Sequence, residues 1–433
     1  MQQILIIAKQ TFKEAVRNKI LFVFIILGLI TICCSVFMPV VGDGSEKIRI
    51  VESMCFRSIT FFGTLAAILL SASSIPTDIE NRVLCTITTK PVQRTNIIFG
   101  KIIGFMYIIG VLLIVMGGAG YALIKFTALK QSTQGSSELL AREKFDPYTL
   151  QVTGESARKI GNVSWIEGGG KGTSVWKFKG LHSKNRKDDL EIEADFLVES
   201  KKRSTRKIPI NIKAVNPYTL KTLTESIEVS RNKPGLLKLG GEFLEGSEEL
   251  TIVVSLENPG DFIGISSDSL RVFFGNKSFE YNFLKGLTII SSQFLLMVII
   301  AVLGSTFLSL PVNILFCLFI FFCGNITDFM RDLSTVINVF ETHEHGHGIS
   351  TVLKKTNVFV VFLDYVIRKP LFLLSYILPD LKDFSVGKYF VDGINIPYKT
   401  VFMSFGYAVL YAFFCLPISF VVFKRRLMKR DYN

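Results

Sequence analysis

Residues 286–327 read GLTIISSQFLLMVIIAVLGSTFLSLPVNILFCLFIFFCGNIT, a run without a single Asp, Glu, Lys or Arg. One helix needs about 20 apolar residues to cross a bilayer core. The run is about twice that length, so it reads as two spans in series. The break between them falls at Ser309-Leu310-Pro311, because proline has no amide hydrogen to continue a helical ladder. Ser309 and Pro311 are therefore the expected hinge.

Working outward, four more charge-free runs occupy residues 20–42, 58–77, 102–124 and 400–423. Together they predict about six transmembrane helices. The composition agrees: of 433 residues, 49% are hydrophobic and only 20% charged, against about 25% charged in soluble domains. Residues 1–19 followed by the first run could mimic a secretion signal. The run is long enough to span, however, and no small-residue cleavage site follows it, so it reads as a retained helix.

Basic residues near the span ends set the orientation. One set is Lys9, Lys13, Arg17 and Lys19; a second is Arg82, Lys90, Arg94 and Lys101; a third is Lys424, Arg425, Arg426, Lys429 and Arg430. Six spans place all three on one side, which the charge rule makes the cytoplasm. Both termini are then cytoplasmic, in a plasma (bacterial inner) membrane, and the segment between the third and fourth spans is extracytoplasmic. The net charge of +13 is accounted for by anionic inner-leaflet lipid, and no nucleic-acid partner is needed.

Between the third and fourth spans the period changes. Residues 125–147 are polar and read as a linker. Beyond them, 190–198 alternates apolar with polar, 208–215 does so more loosely, and 250–256 and 270–274 read as buried strands. Short strands separated by Gly, Asn and Pro turns predict an inserted all-β sandwich or jelly-roll-like domain. It carries none of the seven cysteines, so a core and not disulfides must hold it. Its two tryptophans, Trp165 and Trp176, read as core positions in preference to a sugar-stacking platform.

The expected organisation is an amphipathic interfacial helix at 1–19, spans one to three at 20–124 with a loop at 76–98, and the β domain at 125–282. Spans four and five follow at 283–327, a re-entrant or interfacial segment at 328–398, span six at 399–423 and a basic tail at 424–433. The segment 357–378 is apolar but interrupted by Asp364, Arg368, Lys369 and Pro370. Charges at membrane depth are costly, which favours re-entry over a seventh span.

The loop between spans two and three reads as a short helix exposing Asp78, Glu80 and Arg82, then a Lys90-Pro91 turn and a basic re-entry at Arg94. It resembles the coupling segment of ABC-2 type transporter permeases, where an acidic helix leads into a Lys-Pro-x-x-Arg turn, here Lys90-Pro91-Val92-Gln93-Arg94. Residues 8–17 resemble that family's elbow helix, 305–312 its hinge, and 378–384 with 423–426 its last loop and tail. The chain departs from the pattern at Asn81-Arg82-Val83, where a Gly-Thr pair often follows the acidic residues, and in its large insertion.

The resemblance implies a non-catalytic permease subunit of an ATP-driven exporter. Its partners would be cytoplasmic ABC ATPase subunits, a second copy or a homologous permease, and the lipid bilayer. This chain would bind no cofactor, with ATP and magnesium held by the ATPase subunit. A rival reading is a membrane subunit that transmits force without transport. A remoter one is a metalloprotease, since His343-Glu344-His345-Gly346-His347 matches H-E-x-x-H. Two histidines at that spacing share a helix face, but Gly346 and Gly348 weaken the helix, leaving His343, His345 and His347 as weak metal candidates. Gly168-Gly-Gly-Lys-Gly-Thr-Ser174 imitates a phosphate-binding loop but has Trp165 where the first glycine belongs.

Overall fold

The computed structural model describes residues 2–39, 44–80, 94–132, 139, 141–154, 158–160, 163–170, 172–181, 190–200, 207–230, 235–244, 247–327, 330 and 369–431. The chain divides into two compact units. One holds residues 1–138, 283–392 and 396–433; the other holds 139–282 with 393–395.

The first unit is helical. Its described helices are α1 (Gln2–Arg17), α2 (Ile20–Cys34), α3 (Gly44–Glu80), α4 (Arg94–Ser132), α5 (Phe279–Phe307), α6 (Leu310–Asn325), α7 (Lys369–Ile377), α8 (Gly387–Val391) and α9 (Tyr398–Asp431). Among the described residues five segments are long and apolar enough to cross a membrane: Ile20–Phe37, Lys47–Asp78, Thr95–Lys130, Phe279–Phe307 and Tyr398–Phe423. Leu310–Asn325 is a shorter apolar helix beside them. The chain is a membrane protein by this measure.

Two segments that read as ordinary spans are longer than the apolar runs predict. The acidic residues after Thr77 do not form a separate short helix; they are the last turn of α3, which passes through Pro76 without ending. At the far end of α4 the helix runs on to Ser132, through the start of the segment that reads as polar linker. Polar residues outside a bilayer core remain free to be helical, so apolarity marks the spanning part and not the helix end.

Helix α5 ends at Phe307 and α6 starts at Leu310. Ser309 between them is extended (φ −73°, ψ 159°), and Pro311 lies in the first turn of α6. That position costs proline nothing, since the first amides of a helix have no intrahelical acceptor. At the end of α6, the Gly324 carbonyl accepts from the Leu381 amide at 3.0 Å, Thr327 donates to Asp380 Oδ1 at 3.1 Å, and the Asp380 amide donates to Tyr407 Oη on α9 at 3.1 Å. Residues 357–368, where re-entry is expected, lie outside the described residues.

Among its described residues the second unit forms three antiparallel sheets. The first orders β1 (Arg142–Phe145), β13 (Leu270–Asn276), β6 (Leu190–Ala194) and β10 (Gly235–Leu239). The second orders β2 (Thr149–Gly154), β5 (Gly172–Phe178), β11 (Leu250–Leu256), β8 (Lys207–Val215) and β9 (Thr222–Ser230). The third orders β3 (Arg158–Ile160), β4 (Val163–Glu167), β12 (Asp261–Ile265) and β7 (Leu197–Ser200). One buried apolar cluster draws on all three, including Trp176, Phe178, Ile192, Ile210, Ile252, Val254 and Ile263.

Period-two burial explains the pattern: in β11 Leu250, Ile252, Val254 and Leu256 face in while Thr251, Val253 and Ser255 stand between them. The alternation over 190–198 is real, yet it is not one strand. The chain leaves the first sheet after Ala194 and joins the third at Leu197, with the Asp195 amide donating to the Ser269 carbonyl at 2.8 Å. Leu190, Ile192, Ala194 and Phe196 all stay buried through the switch, so the inward face carries on while the pairing partners change. Trp176 is fully buried, and its indole N–H donates to Ser174 Oγ at 3.2 Å. The glycine-rich 168–174 stretch passes from β4 to β5 with Gly169 and Gly170 both at φ +78°, and a strand follows it. A phosphate cradle requires a helix at that point.

Within this unit Glu191 sits between two cations: Arg142 at 2.5 Å and Lys238 at 2.9 Å. Arg142 also covers the Phe273 ring at 4.2 Å. Burial pushes the Glu191 carboxyl up, but the hydrogen bonds from Lys238 and Arg142 outweigh it and hold the group below its usual value of 4.5. A carboxyl held low in the folded state stabilises it above the unfolded value, and that contribution is lost as pH falls through the folded value. Acidification below about pH 4.5 is therefore expected to weaken the β unit, and Glu191→Gln to flatten that dependence. Tryptophan fluorescence of the whole chain reads it directly, because both tryptophans lie in this unit; an unchanged acid midpoint in the variant would refute the assignment.

Candidate functional site

The helix ends that flank residues 81–93 are held together by buried charge. Ser74 and Asp78 are four residues apart, so they share one face of α3. Both are buried, at 7% and 6% exposure, and so is Lys101 on α4 at 3%. Lys101 forms an ion pair with Asp78 and donates a hydrogen bond to Ser74 Oγ. Two charges removed from water are tolerated only when each finds its partner and further hydrogen bonds, and the serine supplies one here.

Helix α1 completes the site. It packs along α4 through small residues, with Ala8, Thr11 and Ala15 buried. Opposite them on α4 stand Gly100 and Gly104. A Cβ at Gly100 would meet Ile7 Cβ at 2.7 Å, and one at Gly104 would meet Thr11 Cβ at 2.7 Å and the Ala8 carbonyl at 2.8 Å. Glycine four residues apart thus opens a groove into which α1 settles backbone-first, the small-residue packing common between membrane helices. Asn96 Nδ2 donates to Gln3 Oε1 at 3.0 Å near the start of both helices.

The contact face of α1 runs through Ile7, Ala8, Thr11 and Ala15, while Leu5 and Ile6 on its other side stay 57% and 66% exposed. Glu14 on the same helix stands close enough to Asp78 and Lys101 to feel both. Its carboxyl is held above its usual value of 4.5, first by loss of water around it and next by the Asp78 charge, against the pull of Lys101 and Arg17.

Asp78 therefore corrects the sequence reading. It is not an exposed acid on a surface helix but one half of a buried pair, because its face of α3 turns toward Lys101. Glu80 is the last residue of α3 and Arg94 the first of α4; their side chains, and the whole of Arg82, Lys90 and Pro91, lie outside the described residues. So do His343, His345 and His347. Among the described residues no group of three His, Cys, Asp or Glu is placed to hold a metal ion.

Ser309 and Pro311 stand at the α5–α6 break, and two residues further on is a group that the sequence reading missed. Asn313 is fully buried. Its Nδ2 donates to the Ala72 carbonyl on α3 at 3.2 Å and to the Ala301 carbonyl on α5 at 3.0 Å. The other misses, Lys101 as the partner of Asp78 and the Gly100–Gly104 groove, have a signal in retrospect. The four-residue spacings of Ser74 with Asp78 and of Gly100 with Gly104 each mark a single helix face. An Asn in a charge-free span is a similar flag, since an amide at that depth must find partners.

These features define a polytopic helical membrane protein carrying an inserted β unit, with a buried charged clamp where two of its long helices approach each other. No protein-family model matches the sequence, and no curated protein is significantly similar to it. Among solved structures, one partial likeness is to the N-terminal endo-1,4-beta-D-xylanase 10B of Clostridium thermocellum, CBM22-1 and GH10 modules complexed with xylohexaose. It has 11% identity, covers 32% of this chain and 29% of that one, and has a TM-score of 0.22. A likeness of that size carries no argument about fold or function.

Proposed function

We propose that the chain is the permease subunit of an ATP-driven ABC-2 type exporter, with the α3–α4 loop as the surface that receives its ATPase subunit. The observation that carries this reading is the clamp. The buried Asp78–Lys101 pair joins the two helix ends that flank residues 81–93, and α1 is seated on α4 beside them. A push on that loop would move α3 and α4 as one body and would not be dissipated in the loop. The break at Ser309–Pro311 provides a second supporting feature, a place where the transmembrane helices can bend.

In this reading both termini and the loop face the cytoplasm, in accord with the three basic sets, and the all-β unit, sandwich or jelly-roll-like in the reading taken here, stands outside. The exposed apolar side chains of α9, among them Phe402, Phe405, Phe413 and Phe414, face lipid or a second permease copy. The loop residues assigned to the ATPase contact are Glu80, Arg82, Lys90, Pro91 and Arg94, with Asp78 acting from behind as part of the clamp.

The purified chain alone is expected to hydrolyse no ATP, and to acquire hydrolysis only when co-purified with a separate ATPase subunit. In that complex Arg82→Glu with Arg94→Glu is expected to lower co-purification at least tenfold while leaving the melting midpoint of the free chain unchanged. Robust hydrolysis by the chain alone would defeat the proposal.

A further inference from the structure

Helix α3 carries a proline inside its last turns, and the carbonyl which that proline leaves without a partner is claimed by a different helix. Pro76 has no amide hydrogen, so the carbonyl four residues earlier, that of Ala72, loses its intrahelical donor. In a spanning helix such a group must be satisfied from outside its own ladder. The donor is Asn313, whose Nδ2 lies 3.2 Å from Ala72 O. The same nitrogen donates its second hydrogen to Ala301 O at 3.0 Å, and Cys317 Sγ approaches Oδ1 at 3.7 Å. Gly304 makes the approach feasible, since a Cβ there would collide with Asn313 Oδ1. Asn313 itself sits in the first turn of α6, where its amide donates to the Ser309 carbonyl at 2.9 Å.

We infer that Asn313 is a positioning residue which replaces the missing Pro76 amide and so makes the proline-containing turn of α3 and the α5–α6 break one mechanical unit. Pro76 lies two residues before Asp78, at the entrance to the 81–93 segment. Ser309 and Pro311 lie just before Asn313. A displacement of the α3 end then reaches the break through one side chain, without passing along the whole length of α3. The pairing stands on the hydrogen-bond geometry alone; its role in transport rests on the permease reading above.

A double-mutant cycle tests it. With Pro76 present, Asn313→Ala strands a buried carbonyl and is expected to lower the melting midpoint of the detergent-purified full chain by about 3 °C or more. Pro76→Ala restores the backbone donor, so in that background the same substitution is expected to cost less than half as much. A residue that merely fills space would cost the same in both, and equal loss, including failure of both variants to accumulate, overturns the inference. Gly304→Ala, which pushes the amide off its acceptors, supplies a second reading: its loss too is expected to shrink with Ala at 76, and equal loss counts against the inference.

The functional arm is read separately in the reconstituted complex. Asn313→Ala is expected to leave ATP hydrolysis within twofold of wild type while substrate movement falls tenfold, and Pro76→Ala to restore part of it. If the stability cycle shows coupling but no ATPase subunit binds the chain, the permease reading fails and the pairing stands. If the subunit binds and the cycle shows none, the inference fails alone.

Discussion

Lys101→Met is expected to lower the stability of the helical unit by about 3–5 kcal/mol, the cost of leaving one member of a buried ion pair without its partner. Asp78 would remain 6% exposed with its charge deprived of Lys101, and Ser74 Oγ would lose its donor. Asp78→Leu alone is expected to be similarly costly, because Lys101 is the more deeply buried of the two. The double variant Asp78→Leu/Lys101→Met should recover most of the loss, since a buried pair exchanged for apolar groups of like volume is often close to neutral. Thermal unfolding in detergent measures all three. If the double variant is as unstable as the singles added together, the pair is not the clamp described here. Should it recover stability but not ATPase association, charge at this position has a role beyond holding the helix ends.

Gly104→Leu is the second large expectation. Even a methyl group at that position would come within 2.8 Å of the Ala8 carbonyl oxygen, a backbone atom that cannot swing aside. Overpacking in a well-packed contact costs about 1–3 kcal/mol, and here it falls on the face that seats α1 on α4. The predicted result is release of α1 from α4, not unfolding of the whole chain. Trypsin cleavage at Lys9 and Lys13 should accelerate at least tenfold while the unfolding midpoint of the remaining helices moves little. Leu5→Ser, on the exposed face of α1, is the control and should leave cleavage unchanged. Equal cleavage in the Gly104 variant and the wild type would mean that the glycine groove does not hold α1.

The two expectations concern one assembly. Glu14 connects them, since it rides on α1 and stands near the Asp78–Lys101 pair. Its carboxyl is held high in the folded chain, so its ionisation weakens the docked state as pH rises from the unfolded carboxylate value through the folded one. That is the opposite direction to Glu191, whose two cations hold it low. A single acid titration of the whole chain therefore has to be read unit by unit.

Much of the architecture was legible before any coordinates. Charge-free runs located the long apolar helices, because a bilayer core excludes ionised side chains whatever the tertiary fold. The helix break was readable at Ser309-Leu310-Pro311, since proline acts through its own covalent structure. The inward face of the β unit was readable as period two at 208–215, and 250–256 was readable as a strand. Where the local rule depends on a partner the reading stopped short. The 190–198 alternation says which side chains face in, but not that the strand changes sheet after Ala194. The acidic turn after Thr77 looked exposed because an aspartate is polar; only its face on α3 and the reach of Lys101 make it buried.

What the sequence by itself determined is therefore the set of properties carried by each segment alone: hydropathy, breaks and strand period. Tertiary structure decided which polar groups meet. Asp78 with Lys101, Gly104 with Ala8, and Asn313 with the carbonyl freed by Pro76 join residues up to 241 positions apart. The physical reason is the same in each case. A buried charge, a bare backbone approach or an unpaired carbonyl is unfavourable alone and becomes acceptable only when the fold delivers its complement, and no single segment records where that complement comes from.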